Sequence, residues 1–284
     1  MQQAVASPEP ETLAASARSM LAAGRPAAAR PLIAALARMG PESVALVELG
    51  SAVAAADGDL KRAIVILDQG IGVTPRDVLL RKRRAGLRQR MGDLAGALAD
   101  AAEAVIAAPS DAAAKALLGL LLIEAGEIAR ARVCLAEAVA TEPDNATFRI
   151  GLAEAAGRAG DAEAARIVLD EGIARAPGCV DLRVAAIRLA LGRGDGEAAQ
   201  GIAEVARREG VANAVVLRML AQAAAARGRD EDAAAALTAA WKLDPTDPGL
   251  RHFAAVAGLL PPAGCVDEVA REPAGEAAGH EAGR

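Results

Sequence analysis

Apolar side chains recur three and four places apart along most of this chain, and glycine or proline breaks the rhythm at fixed intervals. From Asp111 to Glu124 the positions Ala112, Leu118, Leu121 and Leu122 mark a mostly apolar helical stretch. After Gly126, the series Ile128, Ala131, Leu135 and Ala138 forms the apolar stripe of a second helix. The break between them is periodic: Gly24, Gly58, Gly92, Gly126, Gly160, Gly194 and Gly228 stand 34 residues apart. Alanine follows five places later each time, from Ala29 to Ala233. Proline holds a third register at Pro41, Pro75, Pro109, Pro143, Pro177 and Pro245, with Val211 as its gap. Glycine ends the first helix because it enters the left-handed conformation without a Cβ penalty. Proline ends the second because it lacks an N–H and disfavours helix in the residue before it. One such hairpin cannot bury its apolar face alone, so the units must stack into a solenoid. No segment shows a convincing period of two, which predicts an all-α fold.

The period and its registers resemble the tetratricopeptide repeat family. Counted from Pro10, that family's small residue at position 8 is met by Ala17, Ser51, Ala85, Gly119, Ala153 and Ala221. Its usually acidic position 16 is met by Asp59, Asp93, Glu127, Asp161 and Asp195. The resemblance covers residues 10–247 and implies a right-handed α-solenoid of seven repeats: 10–43, 44–77, 78–111, 112–145, 146–179, 180–213 and 214–247. Residues 1–9 read as a short lead and 248–260 as a capping helix with Leu250, Phe253 and Val256. Residues 261–284, rich in Ala, Gly, Pro and Glu, should be a disordered acidic tail. The family's bulky aromatics at positions 4, 11 and 24 are missing; position 24 reads Ile33, Leu67, Ala101, Leu135, Leu169, Ala203 and Leu237. Each buried CH₂ lost in that exchange forgoes about 0.8 kcal/mol unless the helices close up, and the helix propensity of alanine offsets part of it. Two units depart further. Pro31 predicts that the first unit's second helix frays or begins late. In the sixth unit Ile187 replaces the small residue and Val211 the proline, with Gly210 as the alternative cap.

Composition narrows the function. A formal net charge of −5 argues against bulk nucleic-acid or anionic-membrane binding. The lead has neither Lys nor Arg nor an apolar core, which argues against a signal peptide. The longest apolar run, Ala116–Ile123, is too short to span a bilayer. Cys134, Cys179 and Cys265 show neither disulfide logic nor zinc-ligand spacing, which fits a reducing cytoplasm. Heavy Ala, Gly and Arg usage suggests a GC-rich bacterial genome. Tyrosine is absent and the histidines, His252 and His280, fall in the cap and the tail, so no nucleophile–base pair, metal site or cofactor is indicated. Gly192, Gly194 and Gly196 follow a helix rather than a strand and make no phosphate loop. Asn145-Ala146-Thr147 and Arg193-Gly194-Asp195 fall at repeat turns as coincidences.

Basic charge is concentrated. Arg76, Arg81, Lys82, Arg83, Arg84, Arg88 and Arg90 crowd into fifteen residues beside a single Asp77. Arg81, Arg84 and Arg88 take positions 4, 7 and 11, which the family fills with packing residues. The run is either a solvated face with its stems along apolar neighbours or a surface that a partner reads. Position 4 supplies a second pattern, Arg81, Lys115, Arg149 and Arg183 in four successive units. Packed helices lie about 8–10 Å apart, so these heads would form a ladder roughly 30 Å long if they reach the groove. Turned to the rim, they would only solubilise. In tetratricopeptide repeats, first-helix positions 2, 5, 9, 12 and 13 line the concave surface. Carried onto this chain they include Arg18, Lys82, Gln89, Arg90, Arg158, Arg188, Arg218 and Gln222, with Glu48, Glu124, Glu154 and Asp181 on the same surface. The family's carboxylate clamp needs Lys at 5 and Asn at 9; Lys82 is followed by Gly86, so the clamp is broken. Trp241 and Phe253 are expected to pack the last repeat against its cap.

These features predict a non-catalytic cytoplasmic scaffold that holds an acidic partner peptide or helix in its groove, without nucleic acid or membrane insertion. A self-assembling scaffold is one alternative. An accessory subunit of a bacterial envelope polysaccharide or secretion system is another, by family analogy. Asp267, Glu268, Glu272, Glu276 and Glu281 add the expectation that the tail folds back on the basic groove.

Overall fold

Each helix begins and ends on a residue suited to that task. The computed structural model describes residues 9–40 and 43–257. Readings that fall on residues 1–8, Pro41 and 258–284, among them the tail, Cys265 and His280, lie outside the described residues. The first helices are α1 (Pro10–Ala22), α3 (Val44–Ala56), α5 (Val78–Arg90), α7 (Ala112–Glu124), α9 (Ala146–Arg158), α11 (Val180–Gly192) and α13 (Ala214–Ala226). The second helices alternate with them: α2 (Pro26–Met39), α4 (Leu60–Val73), α6 (Leu94–Ala107), α8 (Ile128–Thr141), α10 (Ala162–Arg175), α12 (Gly196–Arg208) and α14 (Asp230–Leu243). A last helix, α15 (Pro248–Ala257), follows, and the described residues contain no strand. The result is an all-α helical-repeat solenoid. It divides into two compact units between Asp161 and Ala162, the first holding α1 to α9 and the second α10 to α15.

The turn after each first helix is built the same way. The periodic glycines sit at φ between +67° and +84°, a region where a Cβ is strained. At the α3–α4 turn, Gly58 N–H donates to Ala55 O at 3.1 Å and Asp59 N–H to Ala54 O at 2.9 Å, the paired bonds of a Schellman stop. Asp59 then serves again, its Oδ1 accepting from Arg62 N–H at 2.9 Å to cap α4. Asp93 and Asp195 do likewise for α6 and α12, which accounts for three of the acidic residues at position 16, whereas Glu127 makes no such bond to α8. The second helices end differently. Thr74, Ala108, Glu142 and Ala176 each accept, through the backbone carbonyl, from the N–H three residues on, with the periodic proline second in the turn. The fourth residue caps the next helix in three of these turns, Asp77, Asp111 and Asn145, as Ser43 and Asn213 do elsewhere. These N-caps keep a 34-residue register of their own, broken by Cys179.

Two expectations about irregular units meet different outcomes. α2 starts at Pro26 and runs unbroken through Pro31, so that helix neither begins late nor loses its first turns. Pro26 occupies the first helical position, where its missing N–H has no partner to lose, and starts the helix ahead of Pro31. In the sixth unit Gly210, at φ +72°, stops α12 in place of the missing proline turn. That helix has 13 residues, whereas the other second helices have 14.

Small residues set the packing. Every alanine of the periodic register, from Ala29 to Ala233, is fully buried, so each hairpin closes on a methyl group. Gly119 shows how tight the closure is, since a Cβ there would lie 2.6 Å from Leu135 Cγ. In the second unit Trp241, Leu250 and Ala254 are buried in one cluster with Phe253 against it, where α15 meets α13 and α14. First helices touch the first helices of neighbouring hairpins within each unit, whereas no two second helices among the described residues approach as closely. Each unit therefore bends toward its first helices, which form its inner wall.

Candidate partner-binding groove

Most of the basic run on α5 is neutralised inside the repeats. Arg84 Nε and Arg88 Nη1 each donate to Asp100 Oδ2 at 2.8 Å, and Arg81 Nη1 lies 3.6 Å from Asp100 Oδ1. Asp100, on α6, is only 2% exposed. Hydrogen bonding to Asp100 first of all raises the pKa of the Arg84 guanidinium. Three guanidiniums around one buried carboxylate thus occupy the hairpin interior at positions 4, 7 and 11, where bulky packing residues were expected.

Position 4 does not form an open ladder. Arg81, Arg149 and Arg183 donate through Nε to the carbonyls of Pro75, Pro143 and Pro177, at 2.8, 2.7 and 3.3 Å. Arg149 and Arg183 are 4% and 3% exposed. Arg183 also pairs with Glu209, and Lys115 pairs with Glu137 at 2.6 Å. The three arginines secure repeat junctions, Lys115 pairs within its own hairpin, and none of the four lines the cavity between α1, α3 and α5. The signal was in the sequence: the arginine follows the periodic proline by six residues each time, which brings its head back to the proline carbonyl.

The inner wall of the first unit carries a cavity of about 1020 Å³ between α1, α3 and α5. Its lining includes four cations, Arg18, Lys82, Arg83 and Arg90, together with Gln89 and a single carboxylate, Glu48. Leu21, Ala22, Leu49, Ala52, Ala55, Ala56 and Leu87 supply the apolar wall. Glu48 is 3% exposed and ties two of the cations together across three helices. Arg18 donates to its Oε2 through Nε at 3.1 Å and Nη2 at 2.9 Å, and Arg83 Nη2 donates to its Oε1 at 3.0 Å. About half of each of these two arginine side chains remains exposed. Lys82 Nζ pairs with Asp111 Oδ2 at 2.7 Å, and Gln89 donates to Glu124. Burial alone would raise the Asp111 pKa, but Lys82 and the Ala114 amide together hold the carboxyl below its usual range. Arg90 is exposed and has no hydrogen-bond or ion-pair partner among the described residues.

Four of the residues anticipated on the concave surface, Arg18, Lys82, Gln89 and Arg90, therefore meet in one cavity. The other four do not join it. Arg158, on α9, donates to Glu154 at 2.8 Å and to Ile123 O at 3.3 Å. Arg188 and Gln222 are exposed on α11 and α13 in the second unit, and Arg218 faces Asp247 at 3.4 Å. Arg83 is the residue that position-by-position reasoning passed over, because it stands at position 6; its membership of the basic run was the available clue. Gly86, at the place of the family's clamp asparagine, leaves open space, since a Cβ there would meet nothing within 4 Å.

The described residues offer little reactive chemistry elsewhere. Burial, then Glu137, raises the pKa of the Cys134 thiol and keeps it out of the nucleophilic thiolate form. No described group of three His, Cys, Asp or Glu side chains could hold a metal ion. No described helix is long and apolar enough to cross a membrane.

Residues 15–71 and 122–188 each match a model of the tetratricopeptide repeat. No curated protein matches the sequence. A tetratricopeptide repeat protein from Parabacteroides merdae superposes with a TM-score of 0.65 at 18% identity, over 88% of this chain and 98% of that chain. The APC/C hetero-tetramer Cut9–Hcn1 gives 0.64 at 12% identity, over 87% of this chain and 49% of that chain. The protein pilF of Pseudomonas aeruginosa gives 0.59 at 14% identity, over 75% and 97%. At these identities the likeness is one of fold. Tetratricopeptide repeats form a family of non-catalytic scaffolds that generally mediate protein–protein interactions. With its 34-residue registers, its stacked helical hairpins and the two matched segments, the chain belongs to the tetratricopeptide repeat family.

Proposed function

We propose that this chain is a non-catalytic interaction module that grips an acidic segment of a partner protein in the groove between α1, α3 and α5. The observation that carries the reading is the charge of that cavity. Four cations and a single carboxylate line it, on a chain whose formal net charge is −5. Arg18 and Arg83 share Glu48, Lys82 is paired to Asp111 outside the lining, and Arg90 is without a partner among the described residues. A local surplus of that kind selects carboxylates through charge-assisted hydrogen bonds, and the exposure of its arginines makes the affinity sensitive to salt. The test is affinity capture from native lysate with the wild type beside a Lys82→Glu/Arg90→Glu variant whose helicity is verified by circular dichroism. A partner held by the wild type and released by the folded variant supports the reading. A partner held equally by both moves the binding surface away from the groove.

One observation favours self-assembly as a second reading. One stripe of α6 and α8 carries no charge, Ala95, Ala99, Ala102 and Ile106 on one and Ala129, Val133, Ala136 and Ala140 on the other, with exposed Glu103, Arg130 and Glu137 flanking it. Ile106 is 71% and Val133 59% exposed there. The equivalent positions of α4 carry Lys61 and Asp68, and those of α10 carry Glu163 and Asp170. An uncharged face can meet its own copy without like-charge repulsion. Light scattering across a concentration series decides it, since a mass that stays monomeric removes this reading.

A further inference from the structure

Of the groove's four cations Lys82 is taken up by Asp111, and the other three stand at two points, a spacing that describes the ligand. Arg18 and Arg83 form the first point, drawn together by the two oxygens of Glu48. Arg90 forms the second. It stands seven residues beyond Arg83 on the same helix, which is about 10.5 Å and almost two whole turns, so both project from one face of α5. The wall beside these points is mostly apolar, made of Ala52, Ala55, Ala56, Leu49 and Leu87, with Gly86 and Gln89 between the two arginines on α5. Such a wall offers no backbone donors or acceptors to an extended peptide, whose amide groups would have to keep their water. A helix satisfies its own amides and can lay an apolar stripe on that wall.

We infer that the occupant of the groove is an amphipathic helix with carboxylates at i and i+7 and small or aliphatic side chains at i+3 and i+4. These four positions share one helical face, and i to i+7 spans the same ~10.5 Å of helix that separates the Arg83 and Arg90 backbones on α5. The inference rests on the groove reading above and narrows it to one shape of ligand. Glu48 is then a positioning residue: it holds two guanidiniums at the first point while leaving about half of each side chain open.

The probes are alanine-based helical peptides, fluorescently labelled, with Leu at i+3 and i+4. One carries Glu at i and i+7, a second carries the same residues with Glu at i and i+11, and a third keeps the first pattern but is broken by a central proline. Anisotropy at low salt is read against wild type, Arg83→Ala and Arg90→Ala. Arg90 has no partner among the described residues, so its loss leaves the fold intact. The i, i+7 helix should bind wild type about tenfold tighter than either control, and Arg90→Ala should erase its advantage over the i, i+11 helix. Equal binding of all three peptides, each weakened by Arg90→Ala, would overturn the helical ligand and leave the basic groove standing as a site for acidic segments. Tighter binding of the proline-broken peptide would overturn it in favour of an extended segment. Absence of binding, with lysate capture still abolished by Lys82→Glu/Arg90→Glu, would overturn this spacing alone. Absence of binding together with capture unaffected by that variant would remove the groove reading as well.

Discussion

Two helical glycines on neighbouring repeats illustrate how differently one residue type can be used. At Gly86 an added Cβ meets nothing within 4 Å, so Gly86→Ala gains helix propensity without steric cost. It should raise stability by about 0.5–1 kcal/mol. At Gly119 the same methyl would collide with Leu135, which is fully buried and has no room to retreat. Gly119→Ala should cost about 1–3 kcal/mol despite its better propensity. Chemical denaturation of the two variants beside wild type reads both signs at once. Opposite shifts in midpoint are expected, and equal shifts would mean that the α7–α8 contact is looser than described. The retained space at Gly86 faces the groove, so its cost in stability keeps the cavity wide at Lys82.

At the scale of the element, the α5–α6 hairpin is held by charge where its neighbours are held by leucine. Asp100 is the counterion for Arg81, Arg84 and Arg88, and nothing else described lies equally close to all three. Asp100→Asn should therefore destabilise by about 3 kcal/mol, because the guanidiniums lose their buried partner. Adding Arg84→Met should return part of the loss in urea midpoint. No recovery would mean that the carboxylate contributes packing rather than charge. This hairpin also marks what the sequence made legible. The 34-residue registers, the all-α class and the helix stops were readable because a glycine turn or a proline turn is decided by a few adjacent residues. Arg18, Lys82, Gln89 and Arg90 were readable because stacking carries equivalent positions to one wall. The six-residue step from proline to arginine was a readable clue to Arg81 and Arg149, but the fates of Arg84 and Arg88 were not legible, since a long side chain chooses among partners within several ångströms of its backbone. Only the three-dimensional placement of Asp100 decides for them.

For the whole molecule, the two units report separately on stability. The sole tryptophan, Trp241, is buried in the second unit's core with Leu250 and Ala254, far along the chain from the leucine-rich core around Leu121 and Leu135. Repeat arrays gain stability from neighbouring contacts, so their ends need not unfold with their middles. Tryptophan fluorescence and far-ultraviolet circular dichroism should give urea transitions with different midpoints. Superimposable curves would mean that α1 to α15 melt as one cooperative body.

The double duty of Asp59, Asp93 and Asp195 has a consequence for how such a chain can change. Each backbone N–H closes one helix while the same residue's carboxylate opens the next. Inserting or deleting one residue there would misplace both ends together, so the joint has no half-step. Growth or shortening without damage then comes in whole blocks of 34 residues. The reach of the inner wall is a quantised variable, set by counting modules rather than by adjusting any one of them.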